Sequence, residues 1–222
     1  MSREGFDGAA AVTRSLLGWG VVAGPFYLVL GVVLALTRPG FSFARHPLSA
    51  LLLGPGGWWQ ALNLILSGVM TAAAAFGLLR ALTGRRARWT GGLVGVDGLC
   101  LVLSAIFPPD PVAGFPPGSG SGAATTSGLL HLVLGGVGFL ALGAAALVSA
   151  GAFRPAGVFR AAGGVVILGF LGGAALSPGG AGVALLWVAV VVGWAWLATA
   201  SIAAYRIVPH PELHRRTVSS AA

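Results

Sequence analysis

Apolar residues in this chain come in runs long enough to cross a bilayer, and the polar residues gather in the gaps between them. Six runs can be drawn, at about 16–36, 58–79, 90–106, 127–149, 161–176 and 181–205. A helix rises 1.5 Å per residue, so roughly 20 residues cover the ~30 Å hydrocarbon core. The fifth run is the short one and would have to draw on its flanks. The pattern predicts an all-α, polytopic membrane protein. Its six-helix transmembrane bundle, 16–205, lies between an N-terminal segment, 1–15, and a basic tail, 206–222. The first run is longer than the apolar core of a signal peptide and ends in LALTRPG, so it reads as a retained span. Pro25 inside it removes a backbone donor and predicts a kink.

Two of the gaps are long. Segment 37–57, TRPGFSFARHPLSALLLGPGG, is punctuated by Pro39, Pro47 and Pro55, and its LSALLL stretch suits a short interfacial helical turn. Segment 107–126 opens with FPPDPVAGFPPG and continues into a Gly/Ser-rich stretch. Trp58 and Trp59 open the second run, where amphipathic rings favour the headgroup level. Gln60, Asn63 and Ser67 recur at helical spacing and so share one face, which should look into the bundle. In the third run Gly91, Gly95 and Gly98 make a small-residue face suited to close helix approach. The second, third and fourth spans are therefore expected to pack together, with Asn63, Asp97 and His131 pointing inward.

Composition agrees with the pattern. Hydrophobic residues make up 56% of the chain and charged residues 8%, too few charges to cover a water-facing surface. The basic residues are all arginine, and their positions set an orientation. Arg3, Arg14, Arg80, Arg85, Arg86, Arg88, Arg154, Arg160, Arg206, Arg215 and Arg216 fall on the side of the termini, against Arg38 and Arg45 on the other. The positive-inside rule then places both termini in the cytoplasm and the protein in the cell membrane as a multi-pass chain. Because the arginines lie in short blocks between apolar runs, topology accounts for them, and nucleic acid is not an expected partner. The expected partners are the lipid bilayer and a membrane protein or a second copy of the chain. The single cysteine, Cys100, lies inside an apolar run and reads as a small buried hydrophobe.

Few residues could carry chemistry. Asp97 and His131 are each the one ionisable residue of an apolar run, and such residues in a membrane are costly and tend to face the bundle interior or water. With Asp110 and His46 they belong to the outer half or outer loops. Together with Gln60 and Asn63 they form the candidate polar network, structural or functional. His131 could donate to Asp97, to Asp110 or to a loop carbonyl and so pin the outer helix ends. Two histidines and two carboxylates could also ligate zinc, although no HExxH-type spacing is present. No nucleophile elbow and no phosphate-cradling GxxxxGK loop occur, and no cofactor is expected.

Three stretches carry a resemblance. Ser49, Leu51, Gly54, Gly57, Trp58 and Gln60 fit an S-x-L-x-x-G-x-x-G-W-x-Q run. Phe107, Pro108 and Asp110 fit a Phe-Pro-x-Asp turn, and Gly128 and His131 open the next span. In that order, over about residues 15–208, they resemble the bacterial membrane family known as domain of unknown function 998. The first loop is more apolar here than the polar or acidic version of the family. The resemblance implies a six-helix cell-membrane protein and no established activity. The function expected is non-enzymatic, exerted through helix packing with lipid or a membrane partner. The alternatives are a small-molecule or lipid transporter, favoured if the second and third spans enclose a wet cavity, and an intramembrane metal-dependent hydrolase built on the outer His/Asp cluster.

Overall fold

In the computed structural model, which describes residues 6–120, 123–177 and 179–212, the chain forms six α-helices and one 3-10 turn. The helices are α1 (Gly8–Thr37), α2 (Gly57–Ala81), α3 (Gly84–Ser104), α4 (Thr126–Ser149), α5 (Ala156–Ala175) and α6 (Gly180–Ile207). The 3-10 turn, Leu48–Leu52, is the apolar LSALL of the first long loop. Among the described residues there is no β-strand. Arg3, Arg215, Arg216 and most of the basic tail lie outside the described residues, as do Ser121 and Gly122 of the Gly/Ser-rich stretch.

Several helices begin well before their apolar runs. α1 starts at Gly8 because Asp7 accepts a hydrogen bond from Ala10 N at 2.9 Å and caps the first turn. It continues through Pro25 to Thr37. α3 takes in Arg85, Arg86 and Arg88 as a polar first turn and a half. α5 begins at Ala156, recruiting five residues ahead of its apolar run.

Each helix packs against its neighbours in sequence, and α6 packs back against α1, so the six close into a ring in chain order. The contacts are made by small residues. The buried positions of α4, for example, include Gly128, Gly138, Ala141, Gly143, Ala145, Ala146 and Ser149. Its large side chains Leu129, Leu132, Val133, Val137 and Leu140 are exposed. That inversion suits a helix in lipid, where apolar surface gains nothing by turning inward and association depends on close backbone approach. At the α2–α3 crossing a Cβ built on Gly98 would stand 2.8 Å from the Gly68 carbonyl, and one built on Gly68 would stand 2.6 Å from the Gly98 carbonyl. Gly143 and Gly163 face each other in the same way between α4 and α5.

Among the described residues five helices are long and apolar enough to cross a membrane. α3 is not among them, because its arginines and Asp97 dilute an otherwise apolar segment. The chain is thus a helical membrane protein. Its two ends differ in character. At one, the first and last described segments meet: Asp7 N donates to Pro211 O at 3.2 Å, Arg14 to Val208 O at 2.7 Å, and Arg80 Nε to Thr13 Oγ1 at 2.9 Å. At the other, the two long loops fold over the bundle as a cap.

Candidate binding cavity

The cap is built from the two loops by a few specific ties. Arg38 at the end of α1 donates to Leu53 O at 2.8 Å. Gly54 has φ +72°, and a Cβ on Gly57 would run into the Leu52 carbonyl, so these two positions of the loop motif require glycine. His46 is buried between Phe41 and Phe115, with ring centroids at 5.4 and 5.2 Å. Its Nδ1 accepts from Ser42 N at 2.9 Å, which leaves Nε2 as the donor toward Ala113 O in the second loop at 3.4 Å. His46 therefore joins one loop to the other.

The second loop is laced in turn to the first turns of α4. Asp110 accepts from Thr125 Oγ1 at 2.7 Å and from Thr125 N at 3.1 Å, while Thr125 caps α4 by accepting from Gly128 N at 3.0 Å. Ser127 Oγ donates to Pro108 O at 2.9 Å. His131 Nδ1 lies 2.7 Å from Phe107 O and 3.2 Å from Ser104 O. Carbonyls only accept, so Nδ1 carries a proton, and the ring satisfies a carbonyl that the end of α3 leaves free. Of the three partners open to His131 from sequence, the loop carbonyl is the one it takes.

Beneath the cap the ring encloses a cavity of about 420 Å³. Its walls are apolar and aromatic, including Leu64, Phe139, Phe170, Trp187 and Trp194. Tyr27 and Trp194 lie against each other with centroids 5.3 Å apart. Asp110, His131 and Ser104 line the cavity near the cap, and Asp97 lines it deeper in. Asp97 sits seven residues before Ser104 on α3, which is two helical turns or about 10 Å along the axis. It faces Gly138 of α4, where a Cβ would come 3.1 Å from Oδ1. Asp97 is 6% exposed, and among the described residues its carboxylate has no hydrogen-bond partner.

On one side the cavity is not walled off. Leu132, Gly136, Phe139 and Gly143 share a face of α4 by their spacing. The inner three meet α5: Gly136 and Phe139 at Phe170, and Gly143 at Gly163. Leu132 lines the cavity yet is 54% exposed. α5 ends five residues after Phe170, whereas α4 began thirteen residues before Phe139, so the seam between the two helices is open on the capped side.

Of the candidate residues, Asp97, His131 and Asp110 share this cavity, and His46, Gln60 and Asn63 do not line it. Gln60, Asn63, Ser67 and Thr71 are all buried as a ladder on α2. Asn63 Nδ2 donates to Tyr27 O at 3.1 Å and to Gln60 Oε1 at 3.2 Å, and Thr71 donates to Ser67 O at 2.8 Å. The ladder ties α2 to α1. Among the described residues no three His, Cys, Asp or Glu side chains are placed to hold a metal ion. Sequence reasoning did not single out Tyr27, Trp187 or Trp194. The signal available was the seven-residue spacing of the two tryptophans, which puts them on one face of α6.

A family model described as protein of unknown function (DUF998) matches residues 21–203. The chain belongs to the DUF998 family. The matched span of this DUF998 protein runs from α1 to α6 and contains every residue that lines the cavity. Comparison of the DUF998 chain with curated proteins and with solved structures gives no match.

Proposed function

We propose that this DUF998 protein is a six-span protein of the cell membrane, with both termini cytoplasmic, that binds a small apolar or amphipathic molecule in its cavity. The observation that carries the reading is the cavity itself. Its size falls in the ~300–1,000 Å³ range usual for ligand sites, and it pairs apolar walls with a few convergent polar groups. A bundle working only as a packed scaffold would fill such a space, since interiors are close-packed and voids forfeit dispersion contacts. The open α4–α5 seam favours exchange with the membrane and hence the transporter alternative. The six-span reading is supported by the place of α3 between α2 and α4 in the ring.

The test uses the protein's own tryptophans. A terminally brominated fatty alcohol, which quenches tryptophan by contact, should quench the detergent-purified protein saturably through Trp187 and Trp194. Gly135 lines the cavity and has nothing within 4 Å of its Cβ position. Gly135→Phe should therefore fill the space without disturbing a helix contact, and should abolish the saturable phase. Saturable quenching of equal strength in both proteins, or none in the unaltered protein, would overturn the reading.

A further inference from the structure

The cavity's polar groups point to one class of occupant. Two of the residues that line it, Asp97 and Asp110, are acids. The basic residues of the chain are all arginines, and of the ten among the described residues none lines it. His131 is held through Nδ1, which donates to two carbonyls, and brings no fixed positive charge of the arginine kind to the cavity. Asp110 is already engaged by Thr125. Asp97 is the exception: nine-tenths buried, lining the cavity, and without a hydrogen-bond partner among the described residues. A lone carboxylate at membrane depth is expensive unless a partner or water meets it. The cavity that Asp97 lines is also lined by the rings of Tyr27, Trp194, Phe139 and Phe170, and aromatic faces attract a positive centre, most strongly where it has been stripped of water.

We propose that the cavity selects an organic cation, an ammonium-bearing amphiphile without phosphate. Its positive centre sits on Asp97 among the aromatic rings, and its apolar tail lies toward the open α4–α5 seam. This rests on the reading of the cavity as a binding site and adds the headgroup. A lipid headgroup such as phosphocholine also carries an ammonium, but its phosphate would meet acceptors and none of the described arginines here.

The experiment compares four probes on one brominated alkyl chain by tryptophan quenching of the detergent-purified protein: trimethylammonium, hydroxyl, sulfate and phosphocholine. The ammonium probe should bind at least about tenfold more tightly than the alcohol, with sulfate and phosphocholine weaker than ammonium. In Asp97→Asn the ammonium advantage should fall to less than about threefold while the alcohol still binds. The comparison within the unaltered protein decides the matter even if Asp97→Asn does not fold. Equal binding of ammonium and alcohol would overturn the headgroup assignment while leaving the cavity reading intact. Phosphocholine binding as tightly as ammonium would overturn it in favour of a membrane lipid. Loss of saturable binding by all four probes would instead sink the cavity reading.

Discussion

At the scale of single residues, the chain spends its scarce polar groups on two different tasks. Asp110, Thr125, Ser127, His131 and His46 tie loops to helix ends, where free carbonyls and amides need partners. Asp97 ties nothing. From sequence, Asp97 and His131 are candidates for one network, because each is the one ionisable residue in its run and the runs are joined by a single loop. The loop is the informative part: it supplies the carbonyl that His131 takes, and that geometry depends on a fold of FPPD which residue types do not announce. Two double-mutant cycles on unfolding in detergent separate the tasks. Asp110→Asn with Thr125→Val should show coupling of at least about 0.5 kcal/mol, as groups that bond each other do. Asp97→Asn with His131→Phe should add within about 0.5 kcal/mol, as sites two turns apart do. Coupling between Asp97 and His131 as large as that of the loop pair would show that they act as one unit.

At the scale of the helices, the hydropathy pattern places all six and misplaces their ends for one reason. Apolar runs record where lipid begins, whereas helices end where caps and turns end them. α1 therefore starts at Gly8, behind its Asp7 cap and eight residues before the run that begins at 16, and α3 carries three arginines inside its first turns. The small-residue face of α3 was legible because its spacing is helical and lipid gives large side chains no reason to turn inward. Which of its glycines matter most was not legible. Gly98 lies against the Gly68 carbonyl and Gly91 against Leu79 and the Ala75 carbonyl, whereas Gly95 has only the Ala75 Cβ near, at 3.7 Å. Gly98→Leu must push α2 and α3 apart and should cost about 3 kcal/mol or prevent assembly. Gly92→Leu, at a position with nothing within 4 Å, should change stability by no more than about 0.5 kcal/mol. The check is thermal unfolding and monodispersity of the two purified variants. Equal behaviour would mean that the α2–α3 crossing does not depend on close approach.

At the scale of the whole molecule, the arginine distribution and the alternation of the helices argue for one orientation, with the cap outside. Ala124, just before α4, and Thr83, between α2 and α3, are both exposed and lie at opposite ends of the bundle. In a Cys100→Ala background, Ala124→Cys should react with a membrane-impermeant thiol reagent in intact cells, while Thr83→Cys should react only after lysis. The reverse pattern would turn the protein over. Ring closure and the cavity could not be read from the chain. Both rest on α6 returning to α1, through pairs such as Gly24 with Trp194 and Gly20 with Ser201, and no local pattern encodes a partner so distant in sequence.

The open seam has a mechanical consequence when set beside the way the loops are joined. His46 and Arg38, with the Asp110–Thr125 knot, bind α1 through α4 into a frame, because both long loops belong to those helices. α5 and α6 share only a short turn and form a leaf. The leaf is fastened along α1, and near the cap Phe43 lies against Trp187 at 5.7 Å while Gly180 lies against the Ala44 carbonyl. Both of those fastenings are on α6, the hinge side. The far edge is α5, which is held to α4 below Leu132 by the Gly143–Gly163 approach and the Phe139–Phe170 stack. Widening the gap into the bilayer would therefore have to part that packing, while the ties of the cap, which all lie within the frame, could stay made.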